Sequence, residues 1–307
     1  MINYRKIIFI IIATIIVYAI FLLVTDINKI IDKIINFNIF YAPFIVGLVI
    51  CSWMIVYYRW HLMLKLLGIN IPHRSNFQIF LIGTSLGITP GKMGELFKSQ
   101  ILKDKYDIPR TKTAPIFLLE KFLDLSSALV ISSLGIIFFP EMGYLIVGGL
   151  FLVFLIIKIF SSKNLFQKFI HFIEKFKFFK KYSESISSSQ EIFSDMIRKK
   201  EVIIFGLLSI AYWIVIGSAA YLILLGLGFE ALSILNIISS YSISLVIGAL
   251  SLIPGGIGVA EASLVGLLTL QDIEFSDAVV AVVLIRLFTL WFSTISGFIT
   301  LKTSKTL

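Results

Sequence analysis

Two apolar stretches of this chain are each interrupted by a proline followed by glycines. The first stretch, residues 77–102, contains PGKMGE at residues 90–95, and the second, residues 231–270, contains PGGIGVAE at residues 254–261. Proline ends a helix because it lacks a backbone donor, and in lipid the freed backbone groups have no water to bond. Such a break persists only where protein surrounds it or a hydrated cavity adjoins it. We therefore expect each stretch to be a pair of helical pieces that meet at a break inside a membrane protein.

The two motifs are followed by ionisable residues at matched spacing. Glu120 follows Glu95 by 25 residues, and Arg286 follows Glu261 by 25 residues, each within an apolar run. A repeated break with a repeated lone ion favours a duplicated unit. The alternative is a chance likeness of two glycine-rich breaks, since glycine and proline are common in membrane helices.

Composition places the whole chain in a membrane. Hydrophobic residues make up 58% of the sequence and the mean hydropathy is +0.98, which leaves too little polar surface for a water-soluble fold. The predicted fold class is an all-α polytopic membrane protein, a single integral membrane domain over residues 1–307 with six full spans plus two re-entrant broken-helix hairpins. Apolar runs of spanning length, about 20 residues, place the six spans at residues 7–24, 39–58, 114–139, 143–160, 202–228 and 278–301.

The distribution of charge predicts the orientation. The net charge is +9, and lysine and arginine concentrate after the second span, after the first broken stretch, in the loop at residues 161–200 and at the C-terminus. The positive-inside rule then predicts a multi-pass protein with both termini and the basic loops in the cytoplasm. The abundance of Ile, Lys, Phe and Asn favours an AT-rich prokaryotic genome, and hence the plasma membrane of a prokaryote. Arg59 and His61 are assigned to the first of these basic loops. Because topology accounts for the charge, we expect no nucleic-acid partner.

The two broken stretches are predicted to enter the bilayer from opposite faces, because an odd number of full spans separates them. The two units, at about residues 39–139 and 202–301, then form an inverted repeat. Inverted repeats with discontinuous helices near the bilayer midplane recur in secondary transporters.

The ionisable residues of the two units are candidates for a shared site. An ionisable group at membrane depth is costly and by default functional. Arg286 has no acid within a helical turn, so it needs a partner from elsewhere, and the predicted inverted geometry offers Glu95, Glu120 or Glu261. These residues could bind a zwitterionic or phosphate-bearing headgroup, or they could form a purely structural ion network. Glu95 or Glu261 could also couple transport to protons. Alternatively, both glutamates could simply stabilise the N-terminal end of the helix that follows. Four acids balance four cations: Glu95, Glu120, Asp124 and Glu261 against Lys92, Lys98, Lys121 and Arg286.

The breaks also predict an anion cradle. Helices that start near Met93 and Val259 would point free N–H groups into the cavity, which favours a phosphate, and the glycines allow positive φ and close backbone approach. No catalytic or metal-binding residue is predicted. The predicted substrate-binding residues are Pro90, Gly91, Lys92, Gly94, Glu95, Glu120, Lys121, Asp124, Pro254, Gly255, Gly256, Gly258, Glu261 and Arg286.

Other features bear on cofactors and partners. The three histidines lack metal-ligand spacing, Cys51 is the single cysteine, and no P-loop pattern occurs, so we expect no metal, disulfide, cofactor or ATP-driven pumping by this chain. A segment at residues 165–179 of the basic cytoplasmic loop is amphipathic, which favours a helix on the anionic membrane surface over a partner-binding helix. Serines of the second unit, at positions 233, 239, 240, 242, 244 and 251, are expected to bond between helices rather than to substrate.

Three motifs together resemble the lysylphosphatidylglycerol synthase transmembrane-region family, also called the flippase-like domain family. They are PGKMGEL at residues 90–96, EKFLD at residues 120–124 and the second break motif, and the resemblance covers nearly the whole chain. It implies kinship with the membrane half of aminoacyl-phosphatidylglycerol synthases, which moves charged lipids between leaflets. Other members are fused to a glycosyltransferase, and neither soluble domain is expected here. Lys121 stands where the family more often has arginine, which would bind phosphate in a bidentate manner.

The resulting hypothesis is a non-enzymatic, flippase-like lipid transporter. Its substrate would be a phosphate-bearing lipid, such as a phospholipid or a polyprenyl-phosphate-linked lipid, moved between leaflets. Two alternatives stay open. One is an intramembrane transferase that acts on a polyprenyl-linked lipid with Glu95 or Glu261 as base, and the other is a non-catalytic membrane partner of a separate glycosyltransferase.

Overall fold

The computed structural model describes residues 27–137, 140–174, 183–251 and 253–304, and the regular structure in these residues is helical. The predicted span at residues 7–24 lies outside the described residues. The helices are α1 (Ile27–Ile35), α2 (Ala42–Leu66), α3 (His73–Ser85), α4 (Phe97–Tyr106), α5 (Arg110–Ser133), α6 (Gly143–Ser161), α7 (Lys163–Glu174), α8 (Ser183–Arg198), α9 (Glu201–Gly226), α10 (Ile234–Leu250), α11 (Val259–Thr269), α12 (Phe275–Arg286) and α13 (Phe292–Thr303).

Several of these helices are compatible with a multi-pass membrane protein. Three stretches of the described chain are long and apolar enough to cross a bilayer: α2 with its preceding turn, α9, and α12 joined to α13 through a π turn at Leu287–Trp291. The apolar part of α6 continues into α7 through a bend of 102°. α5 has 24 residues but contains charged side chains in its interior, so its composition differs from that of an ordinary span. The count of six spans therefore stays a prediction.

The first break, residues 86–96, separates α3 from α4. It consists of two 3₁₀ turns, and the hydroxyl of Thr89 accepts a hydrogen bond of 2.6 Å from the Gly94 amide. A Cβ at Gly94 would collide with the carbonyl oxygen of Leu86, so glycine is needed there for space. Positive φ was predicted for the glycines of this break, but among its described residues it occurs at Lys92, with φ 54°. The α-helix begins at Phe97 rather than near Met93, because the 3₁₀ turns precede it.

The second break, residues 251–258, separates α10 from α11. Gly255, Gly256 and Gly258 have φ values of 62°, 66° and 87°, a region that side chains with a Cβ rarely adopt. Three left-handed residues so close together reverse the chain sharply. The helix then begins at Val259, at the position that the sequence predicted.

Helices before and after the two breaks pack in a reciprocal pattern. The order of elements is α2, α3, first break, α4 and α5 in one half, and α9, α10, second break, α11 and α12–α13 in the other. α2 packs along α9, α3 packs against α13, and α5 packs against α10. The breaks contact each other directly, with Ile88 and Ile257 buried together beside Trp291. Each of these contacts joins an element of one half to an element of the other.

The apolar core has two main clusters, and the long helices contribute to both. The C-terminal part of α2, the N-terminal part of α5 and Phe205 of α9 belong to one cluster, together with Phe193 of α8. The opposite ends of α2, α5 and α9 belong to the other cluster, with α10, α11 and α12. Polar groups in the middle of α2, α5 and α9 therefore lie where the two clusters meet.

Two residues assigned to a basic loop are in fact inside α2. Arg59 is 1% exposed and His61 is 7% exposed, because the helix continues eight residues beyond the predicted end of the span, to Leu66. His61 packs against His73, with ring centroids 4.5 Å apart, and accepts a hydrogen bond of 3.1 Å from the Asn76 amide. No group of three or more potential ligands suited to a metal ion occurs among the described residues.

Interhelical bonding by the serines of the second unit was largely a wrong prediction. The hydroxyls of Ser239, Ser242 and Ser244 donate to carbonyl oxygens three or four residues earlier in α10 itself. Such back-bonding satisfies a hydroxyl without a partner from another helix. Ser240 is the exception, because it accepts a hydrogen bond of 3.1 Å from Gln271, beyond the end of α11.

The amphipathic segment predicted at residues 165–179 is helical as α7 up to Glu174, and residues 175–182 lie outside the described part of the chain. Phe166 is 3% exposed and contacts Phe160 of α6, with ring centroids 5.2 Å apart. Part of its apolar face therefore packs on protein.

Close packing of α3 against α13 gives a stability prediction. A Cβ at Gly297 of α13 would collide with the Leu81 carbonyl oxygen and the Ser85 side chain of α3. We expect Gly297→Ala to destabilise the protein by about 1–3 kcal/mol through overpacking, measured as thermal unfolding in detergent. The control is Gly266→Ala in α11, where the added methyl group meets open space and helix propensity would add up to about 1 kcal/mol. Equal stability of the two variants would contradict the close packing.

Candidate functional site

The glutamate of each break motif pairs with a cation on the second helix after the break. Glu95 Oε1 lies 2.9 Å from Lys121 Nζ on α5, and Glu261 Oε1 lies 2.8 Å from Arg286 Nε on α12. The structure thus selects Glu261 among the three predicted partners of Arg286. Sequence spacing had matched Arg286 with Glu120, whereas the residue in the equivalent pairing is Lys121, one position later.

Glu120 has a different partner. Its Oε2 accepts a hydrogen bond of 2.7 Å from Lys98 Nζ on α4, and both side chains are almost completely buried. Lys98 Nζ also lies 4.1 Å from the ring centroid of Trp60 and 3.9 Å from Glu95 Oε2. Lys98 therefore contacts an aromatic face and two carboxylates. The sequence analysis counted Lys98 among the ions of the two units but did not predict it as a substrate-binding residue.

Arg59 is the site residue that the sequence analysis missed. Its Nη1 donates to Asp124 Oδ1 at 2.6 Å and also to the Ser209 hydroxyl, so one guanidinium links α2, α5 and α9. Arg59 directly follows the predicted span and resembled a loop cation. The apolar residues Trp60, Met63 and Leu64 continue the buried helix beyond it, and that pattern was the available signal.

The cluster has one positive charge in excess. Five cations, with Arg59 added to the four predicted, face four carboxylates. Among the described residues no acid lies within ion-pair distance of Lys92, and its side chain is exposed. Its charge nevertheless interacts with those of Lys121 and Arg286, and with two of the carboxylates. An exposed, unpaired ammonium beside other cations is suited to an anion.

Two backbone N–H groups of the breaks have partners within the chain. The Gly94 amide donates to Thr89, and the Gly258 amide donates to Glu261 Oε2 at 2.7 Å. Glu261 thus stabilises the start of α11 and pairs with Arg286 at the same time. An anion cradle formed by the other N–H groups stays a prediction, and the side-chain cations are a second set of groups suited to an anion.

Two cations of the site, Arg286 and Lys121, are not fully enclosed by partners. Arg286 Nη2 is buried without a hydrogen-bond partner among the described residues, and Arg286 directly precedes the π turn. Lys121 is 25% exposed and lies between two acids, with Asp124 Oδ2 3.5 Å away. π turns are frequent at functional sites. Arg286 therefore has an unused donor, and Lys121 is partly accessible, while both remain paired with carboxylates.

The structure brings the predicted residues into one region. All fourteen lie in the two breaks, at the start of α11, in the middle of α5 or at the end of α12, and the breaks are in contact. The ion pairs link the helix after each break to the following helix. The arrangement offers electrostatic binding, with acids and bases from both halves close together.

The sequence is similar to those of known membrane proteins. The sequence is 28% identical over 299 residues to the UPF0104 membrane protein MJ1595 of Methanocaldococcus jannaschii, covering 91% of this chain and 89% of that protein. It is 27% identical over 209 residues to the UPF0104 membrane protein MJ1078 of the same organism, covering 65% of this chain and 85% of that one. The profile of the family described as lysylphosphatidylglycerol synthase TM region matches residues 10–297. This multi-pass membrane protein therefore belongs to the lysylphosphatidylglycerol synthase TM region family.

Proposed function

We propose that the protein is a flippase-like transporter that moves a phosphate-bearing lipid, such as a phospholipid or a polyprenyl-phosphate-linked lipid, between leaflets. The observation that supports this most is the exposed and unpaired Lys92 in a cluster with one cation in excess. A lipid phosphate would neutralise that excess, and the membrane is where such a ligand is abundant. Lys121 and Arg286 are the neighbouring cations that would share the phosphate.

The reciprocal packing supports alternating access. If the two halves form an inverted repeat, the pairs α3–α13 and α5–α10 are equivalent contacts, and exchanging their geometries converts one open state into the other. The contact between the breaks would then lie on the axis of that exchange. Membrane transporters of this plan keep the substrate site fixed while the surrounding helices move.

The ion pairs suggest how binding would be coupled to movement. Glu95 pairs with Lys121 and Glu261 pairs with Arg286, so these charges are compensated in the apolar interior. A phosphate would compete for the cations and release carboxylates. Binding would then weaken the links from Glu95 to α5 and from Glu261 to α12, which would couple the ligand to movement.

The orientation belongs to the same proposal. With both termini and the basic loops in the cytoplasm of a prokaryotic cell, the first break opens toward the cytoplasm and the second toward the outside.

A mass spectrum of the lipid after incubation separates transport from transfer chemistry. Unchanged lipid mass with movement between leaflets supports the transporter, whereas a covalently altered lipid favours the intramembrane transferase.

The first functional prediction concerns Lys92. Lys92→Gln removes the cation that has no acid within ion-pair distance among the described residues, and it leaves the ion pairs of Lys98, Lys121 and Arg286 intact, so we expect unchanged thermal stability. Losing a charge-assisted bond of about 1.5–3 kcal/mol should slow exchange of fluorescent phosphatidylglycerol between leaflets of reconstituted vesicles by about 10- to 100-fold. Lys65→Gln, at an exposed position near the end of α2, is the matched control. Full exchange activity in Lys92→Gln would remove this residue from the mechanism.

The second functional prediction distinguishes a structural role of Arg286 from a role in binding lipid. Arg286→Gln leaves Glu261 buried without its cation, which should cost about 3–5 kcal/mol of stability. Adding Glu261→Gln removes the stranded charge, so we expect the double variant to recover most of its thermal stability while exchange remains absent. Recovery of both stability and exchange would show that the pair is structural and that Arg286 does not hold the lipid.

A further inference from the structure

A groove of about 280 Å³ runs between α5, α6 and α10. Its lining is almost entirely apolar and includes Leu129 of α5, Ile146 of α6 and Val246 of α10, which are 2%, 3% and 9% exposed. The volume is near the lower end of the range for small-molecule pockets, about 300–1,000 Å³. It is large enough for part of one narrow ligand and too small for a packed helix.

The groove continues the charged cluster along one face of α5. Lys121, Leu125, Leu129 and Ser132 follow one another at spacings of four, four and three residues, which places them on the same side of a helix. Leu125 is one residue beyond Asp124. A ligand at Lys121 therefore has a direct path into the groove, over a distance of about 16 Å to Ser132 at 1.5 Å per residue.

The position of α10 also relates the groove to the breaks. A Cβ at Gly135 would lie 3.1 Å from the Ser239 side chain, so the C-terminal end of α5 lies beside the N-terminal half of α10. Because the two helices also pack along each other, they are antiparallel. Leu250, at the end of α10, lines the groove and directly precedes the second break. The groove therefore extends to the residue before the second break.

An unused polar group adjoins the groove. Ser132 is one of the lining residues, and its buried hydroxyl has no hydrogen-bond partner among the described residues. Such a group normally bonds to its own helix, as Ser126 and Ser133 do on either side. Gly148 of α6 also lines the groove at an exposed position, where a Cβ would meet nothing within 4 Å, so the groove is open on that side.

We propose that this groove holds one hydrocarbon chain of the transported lipid while its phosphate lies at Lys92 and Lys121. The inference rests on the proposed function, because it names where the rest of the same substrate lies. Apolar walls that start beside an excess of positive charge match a lipid, which has an anionic head joined to a hydrocarbon chain. Within a bilayer, moving a hydrocarbon chain from surrounding lipid into an apolar groove gains little free energy. The phosphate contact would therefore determine which lipid binds, and the groove would determine what chain shape fits.

The test is photolabelling with phosphatidylglycerol that has a diazirine in the middle of one acyl chain, in reconstituted vesicles. Leu129 and Ile146 are shielded from bulk lipid, so adducts on them require a chain inside the groove. We expect adducts at both positions and none at Ile216, which is equally buried outside the groove. Diacylglycerol with the same diazirine chain but no phosphate should label Leu129 and Ile146 much more weakly.

The blocking variant is Gly148→Leu, whose side chain enters the open space of the groove. We expect at least about fivefold fewer adducts on Leu129 and Ile146, because the added side chain takes the contacts of the lipid chain. Gly47→Leu is the control, since this exposed helical glycine of α2 also faces open space but lies away from the groove. Adducts only on exposed residues such as Val147 and Phe151, or labelling unchanged in Gly148→Leu, would overturn the groove assignment.

The labelling result and the lipid-exchange result can be distinguished from each other. Wild-type protein that exchanges lipid between leaflets but gives no adduct on Leu129 would refute the groove while leaving the transporter intact. Phosphate-dependent adducts in the groove of a protein that exchanges no lipid would support the groove and refute transport.

Discussion

Charges inside an apolar helical bundle need partners, and the partners in this chain lie on different helices. Arg59 links α2 to Asp124 of α5, and Lys98 links α4 to Glu120 of α5. Stranding one member of such a pair costs about 3–5 kcal/mol, so the pairs restrict how the helices assemble. The interactions that make burial of the charges tolerable are therefore the same ones that position the two breaks around a common site.

The breaks and the charges depend on each other. A helix that stops inside a bilayer leaves backbone groups without partners, and here Thr89 and Glu261 supply two of those partners from within the breaks themselves. Two backbone N–H groups of the breaks thus have partners within the chain. Lys92 is the cation of the cluster that has no carboxylate within ion-pair distance among the described residues, and its exposure makes the excess positive charge available. In the proposed function, a lipid phosphate would be the bound anion and the groove along α5 would hold its hydrocarbon chain.

The sequence predicted the helical class, the membrane setting and the position of both breaks, because proline, glycine and long apolar runs act locally. It also predicted that Arg286 needs an acid, since a lone guanidinium in lipid is costly. It could not choose Glu261 over the other glutamates, because that choice depends on how α11 lies beside α12. Arg59 was misassigned for a similar reason: a cation at the edge of an apolar run looks the same in a loop or in a buried helix until Asp124 and Ser209 are placed next to it.

Native mass spectrometry of the protein in mild detergent tests the central claim most directly, namely that an excess of positive charge at the two breaks holds a lipid phosphate. The account predicts that wild-type protein retains a phosphate-bearing lipid, and that Lys92→Gln combined with the neutral pair Arg286→Gln and Glu261→Gln loses it while staying folded. Retention of a neutral lipid instead, or of the same phospholipid by the triple variant, would contradict it.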